Sequence, residues 1–128
     1  MRVLLDTHVV LFLLRQTVPK QYREIRRQLA DPSTIGSVSV ASLWEIAIKT
    51  RLGKLDAGMP LEDIVSYLDA IGVSILSIEA DHVITAIHPE PDSRDPFDRL
   101  LLAQCQAENL KLVTLDRALL NHPLALKI

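Results

Sequence analysis

Asp6, Glu45, Asp98 and Asp116 are the residues of this chain best suited to chemistry. Asp98 lies three and four residues before Leu101 and Leu102, so at helical spacing it shares their apolar face. A carboxylate in line with a buried stripe is costly unless an opposite charge meets it. Asp6 closes the apolar run Arg2 to Leu5, and Asp116 closes a second such run, Lys111 to Leu115. Each acid taken alone is explicable as a helix cap or an ion pair. Asp6 suits an N-cap, and Glu45 suits an i,i+4 pair with Lys49. Caps, however, have no need to converge. Carboxylates that do converge repel, and they stay ionised only with a cation among them. Oxygen donors without Cys or paired His select a hard ion, Mg²⁺ or Mn²⁺, and such an ion suits phosphoryl chemistry.

The elements that must position these acids are legible from pattern. Arg2 to Leu5 reads as a strand buried on both faces, followed by a helix from Thr7 to Arg15. A basic helix follows over Lys20 to Ala30, then a strand over Thr34 to Val38. The third helix, Val40 to Arg51, has Val40, Leu43, Trp44, Ala47 and Ile48 as its apolar stripe, with Glu45 at the flank. Helices are also expected over Leu61 to Ile71 and Glu79 to Ile87, with a strand at Val73 to Leu76 between them. The helix Pro96 to Glu108 has the clearest start, with Asp95 as N-cap and Pro96 in the first helical position. A strand over Lys111 to Leu115, a short helix over Arg117 to Asn121 and a last strand over Leu124 to Lys127 complete the chain. Alternating strands and helices imply an α/β fold with a mostly parallel central sheet and helices on both faces. In such sheets the ligand site lies beyond the C-terminal strand ends. Asp6 and Asp116 stand at two of those ends. Asp98 and Glu45 stand on helices that start or leave there, so all four acids project to one end.

Composition narrows the classes further. The 128 residues suit one domain, 1–128, and 48% of them are hydrophobic, which argues against disorder. A net charge of −2 excludes a uniformly basic coat but not a basic rim. Arg15, Arg26, Arg27, Lys49, Arg51, Arg94, Arg99 and Arg117 are candidates for that rim. Cys105, on an apolar helix face, reads as buried and inert. A lone Cys suits a reducing compartment, and the N-terminus meets Asp6 too soon for a signal peptide. No apolar run is long enough to span a membrane, so a cytoplasmic location is expected. His8, His82 and His88 lack ligand partners at useful spacing and read as structural or solvent residues.

Four motifs then carry a resemblance. They are L-L-D-T-H at Leu4 to His8, S-L-W-E-I at Ser42 to Ile46, R-D-P-F-D-R-L-L-L-A-Q at Arg94 to Gln104, and L-V-T-L-D at Leu112 to Asp116. Their order and spacing resemble a PIN-domain ribonuclease, the VapC-type toxin of bacterial toxin–antitoxin systems, over essentially the whole chain. The resemblance implies a PIN-like domain and a metal-dependent endoribonuclease. Its catalytic and metal-binding quartet maps onto Asp6, Glu45, Asp98 and Asp116, with Thr114 in support and Asp95 left as the cap. The implied reaction is hydrolysis of an RNA phosphodiester by water activated at one or two Mg²⁺ or Mn²⁺ ions. The implied partners are RNA, a cognate antitoxin, and a second copy of the chain or a higher complex with antitoxin, with no membrane.

Two other classes fit less well. An aspartyl-phosphate phosphatase needs a second Asp two residues after the first, and His8 stands there. A phospho-receiver needs adjacent acids early in the chain and a late lysine at a strand end, and neither is found. A non-catalytic PIN-like RNA-binding module remains as the alternative, although such modules lose acids that this chain keeps.

Overall fold

The computed structural model describes residues 1–127. Four strands, β1 (Arg2–Leu5), β2 (Ile35–Ser39), β3 (Ser74–Leu76) and β4 (Lys111–Val113), form one parallel sheet in the order β3-β2-β1-β4. Between and after them run α1 (Thr7–Leu14), α2 (Arg23–Ala30), α3 (Val40–Arg51), a 3₁₀ turn (Leu61–Asp63) continued by α4 (Ile64–Ala70), α5 (Ala80–Ile84), α6 (Pro96–Glu108) and α7 (Arg117–Leu120).

The central strand β1 shows why helices must cover both faces. Val3 and Leu5 enter one apolar core with Val9, Val10, Ile25 and Leu68. Leu4, between them, enters the opposite core with Leu101, Leu102, Leu112 and Leu119. Side chains alternate along a strand, so a run of apolar residues needs an apolar partner on either side. Helices α1, α2 and α4 supply the first core, and α6 and α7 the second. Helix α3 contributes Ile46 to one core and Ala41 to the other.

The ends of α6 are those expected. Asp95 accepts from the backbone N–H of Phe97 at 2.8 Å, and Pro96 follows it. Asn109 ends the helix in the left-handed region with φ 61, which Asn tolerates better than most residues. Cys105 is fully buried, and burial pushes its thiol up to about 12, so it is inert.

Several expectations need correction. Helix α2 starts at Arg23, because the residues before it form a turn in which Tyr22 N–H bonds Pro19 O and Tyr22 offers no capping side chain. Helix α5 ends at Ile84, where Val83, Ile84 and Thr85 form a β-branched run that is costly in a helix. The expected last strand is only an isolated bridge, Ala125 to Leu112, closed by two 2.8 Å bonds to Leu112. On α3 the buried residues are Ala41, Ser42, Glu45 and Ile46, while Trp44 is 61% exposed. The stripe expected from apolar residues alone is therefore rotated, with Glu45 inside the buried face. No helix among the described residues is long and apolar enough to cross a membrane.

Candidate active site

Asp6 is delivered by β1, the sheet's second-to-last strand, and held on both sides. It is buried, and its backbone N–H bonds Val113 O at 2.9 Å, which sets β1 and β4 level at this edge. Its Oδ1 accepts from the N–H of Thr7 at 2.7 Å, capping α1. Its Oδ2 accepts from the Thr114 hydroxyl at 2.6 Å. Thr114 Oγ1 in turn accepts from the N–H of Asp116 at 3.0 Å. This is why β4 stops at Val113 rather than at the expected Leu115. Thr114 leaves the ladder, and its hydroxyl ties the acid of one strand end to the acid of the next.

Glu45 comes from the other side. Thr7 Oγ1 donates to Glu45 Oε1 at 2.7 Å and also lies 3.1 Å from Ser42 Oγ. Lys49 Nζ donates to Glu45 Oε2 at 2.8 Å. The i,i+4 ion pair expected of Glu45 is therefore present, but on a buried carboxylate that also touches the site. Asp98 lies one turn into α6, where its Oδ2 accepts from Ser93 Oγ at 2.9 Å. Asp116 is exposed and caps α7 through the N–H of Ala118 at 2.9 Å.

The four acids reach one end of the sheet and feel one another. Burial pushes the Asp6 carboxyl up, the Thr114 hydroxyl and Thr7 N–H pull it back, and Glu45 adds to the rise. Burial also pushes Asp98 up to about 6, aided by repulsion from Asp95, Asp6 and Asp116 and opposed by Ser93. Lys49 is pushed up by its bond to Glu45 and by the charges of Asp95 and Asp98. Each carboxylate turns to its nearest donors. Among the described residues, no group of three His, Cys, Asp or Glu is placed to enclose a metal ion. The acids share an edge without forming a closed cage. The donor set is nonetheless all oxygen, and its crowding is what a cation relieves.

Thr7, Ser42 and Ser93 were not singled out from sequence. The signal for Thr7 and Ser42 is a hydroxyl residue next to an acid within a motif, D-T-H and S-L-W-E. Of the rim candidates, Lys49 meets the acids, while Arg99 is tied to Ser93 O and Glu90. Arg15 is spent on Asp56 O and Arg27 on Glu24, whereas Arg94 and Arg117 are exposed. His82 is structural: it is 2% exposed, accepts from Glu79 N–H and meets Glu108 at 2.9 Å.

The raised carboxyl of Asp98 has a measurable consequence. An acid whose folded pKa exceeds its unfolded value binds more protons when folded. Its contribution to stability is full below about pH 4 and is lost as the pH rises through about 6. In chelator-treated buffer, Asp98→Asn should melt above wild type near pH ~7 and lose that advantage near pH ~4. Thermal melts at both pH values check this, and a difference in melting temperature that does not change with pH contradicts it.

A family model of the PIN domain matches residues 3–123. Among solved structures, a chain of the crystal structure of VapBC2 from Rickettsia felis bound to a DNA fragment from their promoter is similar, with a TM-score of 0.59. The two chains are 17% identical, and the match covers 98% of this chain and 96% of that one. No curated protein matches the sequence.

Proposed function

This chain belongs to the PIN domain family, and on that premise we propose that it is a metal-dependent endoribonuclease, the VapC-type toxin of a toxin–antitoxin pair. The observation that carries the reading is the gathering of Asp6, Glu45, Asp98 and Asp116 at one sheet end, with Lys49 bonded to Glu45. These four would hold Mg²⁺ or Mn²⁺, since oxygen donors without sulfur or paired imidazoles suit a hard ion. When bound there, such an ion supplies positive charge to a phosphate oxygen and makes water a better nucleophile.

The chain's own residues prepare that site. Thr7 and Thr114 fix the orientation of Asp6, Thr7 also holds Glu45, and Ser93 holds Asp98. Hydroxyls behind acidic ligands keep their geometry and are themselves costly to remove. Lys49, Arg94 and Arg117 offer positive charge to the flanking phosphates, which binds backbone without reading bases. The direct test is cleavage of RNA by the purified protein with and without EDTA.

An inhibitor completes the reading, because free activity would harm the cell that makes it. The likeness of fold to a chain of VapBC2 supports an antitoxin as the partner. A pocket of four acids holds more negative charge than one divalent ion cancels. An Arg or Lys of the antitoxin can pair with those acids and exclude metal or substrate. Tyr22 and Leu29 of the α2 region are only partly buried beside Ile25 and can anchor an amphipathic segment. Individual replacement of each basic residue in the C-terminal region of the antitoxin is expected to relieve inhibition at one or two positions. If every replacement leaves RNase inhibition intact, inhibition does not run through charge at this site.

A further inference from the structure

Glu45 has both of its oxygens engaged, by partners of different kinds. Oε1 accepts from the Thr7 hydroxyl at 2.7 Å, and Oε2 accepts from the Lys49 ammonium at 2.8 Å. The Thr7 side is fixed. Thr7 is buried, its backbone N–H bonds Asp6 Oδ1, and Ser42 Oγ lies 3.1 Å from its hydroxyl. An ionised carboxylate only accepts, so the single Thr7 hydroxyl proton goes to Glu45 and Ser42 donates to Thr7. The Lys49 side is loose. The Lys49 side chain is 46% exposed, against 12% for Glu45. Among the described residues its ammonium has no second hydrogen-bond partner, and it rides on a flexible four-carbon stem.

This asymmetry decides which oxygen can change partner. Oε1 is tied inward to a buried hydroxyl, which leaves Oε2 as the oxygen that can turn to an ion. An ammonium and a divalent ion on one oxygen repel at contact range, so Oε2 serves one cation at a time. Lys49 also answers to more than one acid: its bond to Glu45 pushes it up, and the charges of Asp95 and Asp98 add to the rise. Its charge thereby relieves part of the crowding that a metal ion would relieve. We propose that Lys49 competes with the metal for Oε2 of Glu45 and gives it up when the ion binds, an autoinhibitory contact inside the site. This rests on the metal-dependent reading of the site and adds its regulation. The site loads at a higher metal concentration than its acids alone would set, and the displaced ammonium becomes available to a substrate phosphate.

Calorimetric titration of Mn²⁺ into the purified protein, without RNA and at fixed ionic strength, reads the competition. Lys49→Met removes the charge and keeps an unbranched stem. It should bind Mn²⁺ about tenfold tighter or more, the worth of one charge-assisted hydrogen bond. Lys54→Met removes the same charge from an exposed position just beyond α3 and should leave the affinity unchanged. Equal or weaker binding by Lys49→Met with native circular dichroism overturns the proposal, and so does an equal gain in Lys54→Met. A second measurement uses the wild-type chain and does not depend on that variant folding. Lysine side-chain NMR, with the Lys49 signal assigned from its loss in Lys49→Arg, should show that signal move to the position of the exposed lysines on saturation with Mg²⁺. A Lys49 signal that stays in place overturns the exchange, as does a lack of Mn²⁺ binding in both wild type and Lys49→Met. RNA cleavage run in parallel separates the two readings. If Lys49→Met binds tighter while wild type cleaves no RNA, the nuclease reading fails and the competition stands. If wild type cleaves RNA in Mn²⁺ while the affinities are equal, the competition fails and the nuclease stands.

Discussion

Asp98→Asn is expected to abolish RNA cleavage and leave the fold intact, while Asp95→Asn keeps most of the activity. The two acids sit three residues apart at the start of one helix, yet the structure gives them different work. Asp95 is exposed and caps α6 through the N–H of Phe97. Asn caps a helix about as well as Asp, so Asp95→Asn changes little. Asp98 caps nothing. It is partly buried, held by Ser93 and crowded by Asp6 and Asp116. Asn keeps its shape and removes its charge. Loss of a group behind a metal ligand costs about ten- to a hundredfold, and loss of a ligand charge should exceed that. Initial rates on one RNA, with melts run alongside, separate the two roles. Equal losses at equal stability would show that the assignment within Asp95-Pro96-Phe97-Asp98 is wrong.

How much was legible in the sequence depends on which physical signal each residue carries. Helix α6 was read to the residue because Asp95, Pro96 and Asn109 are local signals that need no tertiary contact. The bounds of α3 were read as well, since Ser39 caps it through the N–H of Ala41. Its orientation was not. Apolar count put Trp44 inward and Glu45 at the flank, whereas the helix turns Ser42 and Glu45 inward to meet Thr7. A buried polar cluster reverses the hydrophobic rule, and periodicity has no means of seeing it. Topology places Glu45 at the same sheet end as the other acids, and the resemblance of the motif S-L-W-E-I promotes it further. The same limit hid Thr7 and Ser93, whose hydroxyls matter through residues distant in sequence or across a loop. The end of β4 was misplaced for a related reason, because Thr114 is a good strand residue pulled out of the ladder by its two bonds.

Chelation should remove essentially all RNase activity, and added Mg²⁺ or Mn²⁺ should restore it. Four carboxylates at one sheet end, with Lys49 bonded to Glu45 and the single imidazole of His8 near Asp6, offer no histidine acid–base pair among the described residues for attack through a 2′-hydroxyl. His82 is turned away toward Glu108 and Gln104, and His122 bonds Pro89 O. A cation among the acids would let them stay ionised together and let a polyanion approach. The most direct measurement follows a single-stranded RNA through one series with the same purified protein: as prepared, after EDTA, and after EDTA followed by Mn²⁺, with Asp98→Asn run in parallel to exclude a contaminating nuclease. Cleavage, no cleavage and cleavage are expected for wild type, with none at any stage for the variant. Undiminished cleavage by the EDTA-treated wild-type protein, absent from the variant, would contradict it.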